Sequence, residues 1–315
     1  MIRRAIIISI SGKSLTVKEK NIIKKGRPWG IILFSRNIES LNQIKKLITS
    51  IRFIIKDKKF PIIIDEEGGQ VSRLSKIIDN SIYNQKFFGE IYKKNKNKGL
   101  KIFKNYNQSI CEVLNKIGIN INSVPVLDIL KKNTHKVVRN RIFSNDIDTI
   151  NNLAKICSNA YKKNKVGTII KHIPGHGGAK FDSHLRLPII NENIKSLKNK
   201  DFKCFKGISS YFAMTGHILF KKIDSKNNVT HSEIIIKKII RKYIGFKGIL
   251  ISDDISMKAL KYDIYKNARL ALNSGCNLVL YCGGKIKETQ KLLKQTPYID
   301  KFTKKKTSEF YKFLS

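Results

Sequence analysis

Val166-Gly167-Thr168-Ile169-Ile170-Lys171-His172 runs directly into Ile173-Pro174-Gly175-His176-Gly177-Gly178-Ala179-Lys180-Phe181-Asp182-Ser183-His184. The first half is short, apolar and β-branched, the pattern of a strand buried on both faces, and it ends on a cation and an imidazole. The second half cannot be helical. Pro174 removes a backbone donor and fixes its own φ, while Gly175, Gly177 and Gly178 admit conformations closed to other residues. Polar side chains are therefore held on a shaped loop at a strand end. Asp182-Ser183-His184 is its sharpest part: a carboxylate two residues from an imidazole in extended chain can turn back to orient the ring and raise its basicity, as proton transfer requires. Taken alone, the loop leaves open a chance pairing of these side chains and a metal site.

The same unit recurs along the chain. Apolar, β-branched runs at 5–10, 30–34, 61–65, 121–127, 166–172, 211–218, 248–253 and 277–282 make eight candidate strands. Helical patterns lie between most of them, near 39–57, 84–117, 147–164, 232–243 and 256–274, with a last one from about 285 onward. Strands that are apolar throughout and alternate with helices belong to a parallel sheet covered on both faces. Eight such units predict an α/β fold, a single (β/α)8 barrel over 1–315, with an open doubly wound sheet as the competing arrangement. Asp65 closes the third candidate strand, His172 the fifth, His217 the sixth and Asp253 the seventh. Barrel sites occupy the C-terminal strand ends, so the 173–190 loop is expected directly over the site.

A length of 315 residues suits one such barrel. The 63 Lys and Arg against 23 Asp and Glu give a formal net charge of +40, which ordinarily points to nucleic acid or an acidic membrane surface. Here the positives are spread over the whole chain with abundant Ile and Asn, as in Lys94-Asn95-Lys96-Asn97, a composition that AT-rich coding produces. There is no aromatic-interleaved basic motif, and no basic tail beyond Lys304-Lys305-Lys306. The excess reads as solvated surface, and no specific nucleic-acid partner is expected. Five scattered cysteines without a C-x-x-C pair imply a reducing compartment. Met1-Ile2-Arg3-Arg4 before the apolar Ala5 to Ile10 resembles a signal peptide only superficially; the run is too short, Ser11-Gly12-Lys13 offers no cleavage site, and a first strand is the better reading. No stretch approaches the roughly 20 apolar residues of a bilayer span. A soluble, cytoplasmic monomer without membrane insertion is expected.

Three further segments carry chemistry. Ile62-Ile63-Ile64-Asp65-Glu66-Glu67-Gly68-Gly69-Gln70-Val71-Ser72-Arg73 runs a strand into paired acids, glycines and an arginine. Asp65 can accept from hydroxyls and Arg73 can return as a donor fork, a combination suited to a polyhydroxylated ligand; Glu66 and Glu67 read as structural or as supports for the residues that touch it. The plainer alternative is a turn with solvated charges. In Val138-Arg139-Asn140-Arg141-Ile142-Phe143-Ser144, Arg141 is the candidate substrate contact and Arg139 can equally be a surface charge. Ile249-Leu250-Ile251-Ser252-Asp253-Asp254-Ile255-Ser256-Met257 ends a buried strand on two carboxylates. One can act as nucleophile or base while the other caps the next helix, or both can cap. For a metal, His172 and His176 have a spacing that suits zinc on a helix, but Pro174 and Gly175 forbid that helix, and no His-x-His occurs. No metal and no cofactor is expected, with zinc-dependent hydrolysis kept as an alternative, beside a catalytically inactive basic binding protein.

Together the segments resemble one family, the NagZ-type β-N-acetylglucosaminidases of glycoside hydrolase family 3. The matching blocks are Ile32 to Ile38, Asp65 to Arg73, Asn140 to Phe143, Lys171 to Gly177 with Asp182-Ser183-His184, and Ser252 to Met257, in order across most of the chain. The resemblance implies a family 3 N-terminal-type barrel that hydrolyses terminal β-linked N-acetylglucosamine with retention, acting on N-acetylglucosaminyl muropeptides in cytoplasmic peptidoglycan recycling. It implies Asp253 as nucleophile, His184 oriented by Asp182 as acid/base, and Asp65, Arg73, Arg141, Lys171 and His172 as sugar-binding residues, with His176 shaping the loop. Two positions depart from the family pattern: Gln70 where arginine often follows the glycines, and Arg139 where glycine commonly precedes the Asn-Arg pair.

Overall fold

Runs that are apolar on both faces can be stable only as strands paired on both edges and covered on both sides, and that is how these runs are used. In the computed structural model, which describes residues 2–179, 181, 183 and 185–315 and omits the side chains of 136 and 137, eight strands form a closed parallel barrel. They are β1 (Arg4–Ser9), β2 (Pro28–Leu33), β3 (Ile62–Ile64), β4 (Ile121–Asn122), β5 (Gly167–Ile173), β6 (Phe212–Thr215), β7 (Ile249–Asp254) and β8 (Leu278–Tyr281). The ring closes where β1 pairs with β8, Ile6 opposite Val279 and Ile8 opposite Tyr281, so the (β/α)8 barrel stands and the open sheet does not.

Alternation along each strand separates two cores. Ala5, Ile7, Ile63, Ile169, Phe212, Ile249, Ile251 and Leu278 pack together inside the barrel, whereas Ile6, Ile8, Ile62, Ile64, Ile170, Leu250 and Val279 join the larger core shared with the helices. The helical segments differ from expectation in instructive ways. Val17–Gly26 was not foreseen, although Thr16 and Glu19 form a capping box, Glu19 N donating to Thr16 Oγ1 at 3.1 Å and Thr16 N to Glu19 Oε2 at 2.9 Å. The 84–117 pattern is two helices, Gln85–Lys94 and Lys96–Ile117. Asn95 is extended between them and its side chain caps the second, accepting from Lys98 N at 3.0 Å. The 256–274 pattern is helical only over Ile264–Ser274, because the Asp254 carboxylate captures Ser256 and turns the chain first. Among the described residues no helix is long and apolar enough to cross a membrane.

The last helix, Lys301–Phe313, stoppers the N-terminal end of the barrel. Trp29 Nε1 donates to Thr307 Oγ1 at 2.9 Å, and Phe310 meets Phe212 edge-on with ring centroids 5.0 Å apart. Gly167 leaves the space for that ring, since a Cβ there would lie 2.8 Å from Phe310 Cε2. Phe310→Ala is therefore expected to destabilise the fold by about 3–5 kcal/mol through the cavity it leaves, read as a shift in the midpoint of urea unfolding; a change below about 1 kcal/mol would mean that the helix is not an integral stopper.

Candidate active site

The other end of the barrel is polar. A cavity of about 180 Å³ opens there, and Asp65, Arg73, Arg141, Lys171, His172 and Asp253 all line it. Sequence-distant candidates thus converge on one place, delivered by β3, β5, β7 and the loops after β3 and β4. Asp182 and His184 lie outside the described residues; Ser183 between them lines the cavity.

The charges are organised around Lys171, whose side chain is 2% exposed. Its ammonium pairs with Asp65 and, at 2.5 Å, with Glu67. Arg73 Nη2 donates to Asp65 Oδ2 at 3.1 Å, and Arg141 grips Glu67 with two bonds of 2.7 and 2.8 Å. Burial alone would raise both carboxyls, but Lys171, Arg73 and Arg141 hold Asp65 well below the usual carboxylate range, and Arg141 and Lys171 lower Glu67. Glu67 thus takes a supporting role, holding two cations that line the cavity without lining it itself. Glu66 is committed to its own loop: Oε2 accepts Arg73 N at 2.6 Å and Leu74 N at 2.8 Å, and Oε1 accepts Asn80 Nδ2 at 2.6 Å. Arg139 turns outward onto the carbonyls of Thr134 and Lys132, and Gln70 is exposed, so neither departure from the family pattern reaches the cavity.

Asp128 is the residue that sequence reading missed. It is fully buried; Oδ2 lies 2.7 Å from His172 Nδ1, and Oδ1 accepts His176 N at 2.6 Å. Arg141 Nη2 stands 3.3 Å from His172 Nε2. A guanidinium only donates, so Nε2 accepts and the ring proton sits on Nδ1, facing Asp128. The signal was present: Asp128 follows an apolar run just as Asp65 does.

The loop after β5 is clamped onto the loop after β4. Thr134 Oγ1 donates to Gly177 O at 2.7 Å and His135 N to Ala179 O at 3.2 Å. Gly177 needs to be glycine because a Cβ would stand 1.8 Å from Ile129 O. His176 Nε2 lies 3.3 Å from Ser183 Oγ, tying the loop to itself. Burial, with His172 nearby, pushes the His176 imidazole down to about 4, so it carries no charge at neutral pH.

At the end of β7 the two acids part company. Asp253 lines the cavity and accepts Asp254 N on Oδ1 at 2.8 Å. Asp254 caps no helix, since the next one begins at Ile264 and is capped by Asp263; it holds the turn and the end of β8 instead, Oδ1 accepting Ser256 N and Cys282 N, each at 3.1 Å, and Oδ2 accepting Ser256 Oγ at 2.6 Å. Phe34, Val71, Met214, Met257 and Leu280 supply apolar wall beside the charges, a lining suited to a ring with hydroxyls on its rim and C–H on its faces. Among the described residues no three His, Cys, Asp or Glu side chains gather as a metal site.

Comparison with known proteins agrees with this geometry. The family model described as glycosyl hydrolase family 3 N terminal domain matches residues 6–303. A β-hexosaminidase of Methylobacillus flagellatus is 31% identical over 284 residues, covering 88% of this chain and 80% of its own length. One from Neisseria meningitidis serogroup C is 30% identical over 286 residues, covering 89% and 78%. The crystal structure of NagZ from Neisseria gonorrhoeae in complex with N-trifluoroacetyl-D-glucosamine has a TM-score of 0.87 at 26% identity, covering 100% of this chain and 91% of that one. A family match that begins inside β1 and ends inside the last helix, over a barrel whose mouth gathers these acids and bases, makes the chain a glycoside hydrolase of family 3.

Proposed function

We propose that this glycosidase removes terminal β-linked N-acetylglucosamine from cell-wall muropeptide fragments with retention of configuration, in cytoplasmic peptidoglycan recycling. The observation that carries the reading is the Asp253 carboxylate at the end of β7, lining the same cavity as Asp65, Arg73, Arg141, Lys171 and His172. The specificity is supported by the β-hexosaminidase names of the relatives and by the N-trifluoroacetyl-D-glucosamine held by the gonococcal NagZ.

In the first step an Asp253 oxygen attacks the anomeric carbon while the bond to the departing oxygen breaks and that oxygen takes a proton from His184. In the second, His184 takes a proton from water, the water oxygen attacks the same carbon and Asp253 leaves as carboxylate. Two inversions leave the β configuration. Among the described residues at the cavity, Asp65 is held ionised by its cations and His176 is uncharged, while Asp254, although burial raises its carboxyl, has both oxygens engaged by Ser256 and Cys282. This division supports assigning proton transfer to His184, oriented by Asp182. Asp65, Arg73, Arg141, Lys171 and His172 would bind the sugar hydroxyls, their fixed charges and hydrogen-bonding dipoles needing no reorganisation as charge develops on the ring.

Asp253→Ala is expected to lower kcat by about 10⁴-fold or more with the fold intact, and a fluorinated glycosyl donor that keeps the 2-acetamido group should label Asp253 in the unmodified enzyme; label on Asp254 or Glu66 would overturn the assignment. His184→Ala is expected to slow substrates with poor leaving groups by about 10²–10⁴-fold and activated aryl glycosides by less than about tenfold, since an activated group departs without a proton. Equal losses on both substrate types, with glycosylation rate-limiting throughout, would reduce His184 to a structural residue of the loop.

A further inference from the structure

We infer that His217 is a positioning residue for the attacking carboxylate: a relay of two hydroxyls and an imidazole through the core fixes the end of β7 on which Asp253 sits. The inference rests on the reading of Asp253 as nucleophile. His217 stood out in the sequence as a strand-end histidine, yet it does not line the cavity, and it, Thr215 and Thr230 are all fully buried.

The directions of the relay follow from its ends. His217 Nε2 lies 3.0 Å from the Asp254 carbonyl oxygen. A carbonyl only accepts, so Nε2 carries the proton and Nδ1 must accept. The Thr230 hydroxyl, 2.8 Å from Nδ1, is then the donor, and it accepts in turn from Thr215 Oγ1 at 2.9 Å. Burial lowers the His217 imidazole despite the pull of Asp253, which keeps the ring in the uncharged form that this pattern needs.

The relay does what the sheet leaves undone. The β6–β7 ladder pairs Phe212 with Ile249, Ala213 with Leu250 and Met214 with Ile251, and these pairs stop before Asp253 and Asp254. On the opposite side β8 still holds the segment, with Ile255 N donating to Leu280 O at 2.9 Å and Cys282 N to Asp254 Oδ1 at 3.1 Å. His217 supplies the missing hold on the β6 side. Asp254 carries the result to the cavity, because its carbonyl is fixed by His217 and its N–H donates to Asp253 Oδ1 at 2.8 Å. Losing the first bond leaves residue 254 held from the β8 side alone, so the Asp253 carboxylate is less closely aimed.

The test compares His217→Ala, His217→Gln, Thr230→Val and Asp253→Ala with the unmodified enzyme on an aryl β-N-acetylglucosaminide, together with the rate of covalent trapping by the same fluorinated donor. His217→Ala should lower kcat and the trapping rate together by about 10–100-fold, the scale of a misplaced reactive group, with KM within about threefold. His217→Gln should recover most of the loss, because its amide can donate to the same carbonyl. Thr230→Val keeps the imidazole and the side-chain shape, so it carries the test if His217→Ala does not fold; it should lower kcat about 3–10-fold by releasing Nδ1. Nitrogen-detected imidazole spectra should show His217 protonated at Nε2. The relay is wrong if Thr230→Val and any folded His217→Ala keep kcat and trapping unchanged, if His217→Gln loses as much as His217→Ala, or if the proton sits on Nδ1. An active Asp253→Ala would remove the nucleophile reading itself, whereas an inactive Asp253→Ala beside an unaffected His217→Ala would remove the relay alone.

Discussion

Everything at the mouth of the barrel depends on Lys171 sharing its buried ammonium between Asp65 and Glu67, with Arg141 closing the set on Glu67. Taking such ions out of water costs on the order of several kcal/mol each after relaxation, and only close pairing with further hydrogen bonds offsets it. The four side chains come from the end of β3 and the loop after it, the loop after β4 and the C-terminal end of β5, so satisfying their charges fixes these pieces relative to one another. The same pairing sets protonation. Asp65 has a depressed folded value, so the stability it contributes is complete above the ordinary carboxylate range and is lost only as pH falls through that lowered value. His176, at about 4 when folded and about 6.5 when unfolded, gives way earlier: its contribution is intact above the unfolded value and disappears as pH falls toward 4.

Around that cluster the work divides between strand ends and one loop. Strand ends carry Asp65, Lys171, His172 and Asp253, where the barrel ladder and Asp128 hold them. The loop after β5 carries Ser183 to the cavity and is held by backbone contacts that only glycine permits, Gly177 against Ile129 O being the tightest. In the proposed chemistry this division has a purpose. Attack needs a carboxylate aimed to within a fraction of an ångström, which suits a strand; a group that serves first as acid and then as base works from a loop that reaches the departing oxygen and the incoming water.

The parallel sheet was legible because strands buried on both faces leave runs such as Ile62-Ile63-Ile64 and Ile249-Leu250-Ile251, and the count of eight such units pointed to a barrel over an open sheet, which closure between β1 and β8 decided. Strand-end carboxylates were legible for the same reason, since Asp65 and Asp253 interrupt apolar runs. Helix boundaries were less so: a single extended Asn95 splits one periodic pattern, and one carboxylate, Asp254, delays another. Partnerships were the least visible. That Glu67 clasps Arg141 across 74 positions, that Asp128 holds His172, and that Thr230 reaches His217 are consequences of closure, which brings together loops with no local sign of one another.

The proposed reaction is a double displacement in which Asp253 forms the covalent intermediate and the loop histidine moves both protons. The configuration of the first-formed product tests it most directly. Proton NMR of N-acetylglucosamine released in the first minutes of hydrolysis, before mutarotation mixes the anomers, should show the β anomer accumulating first. Initial release of the α anomer would mean a single displacement by water, with Asp253 acting as a base, and would contradict the account.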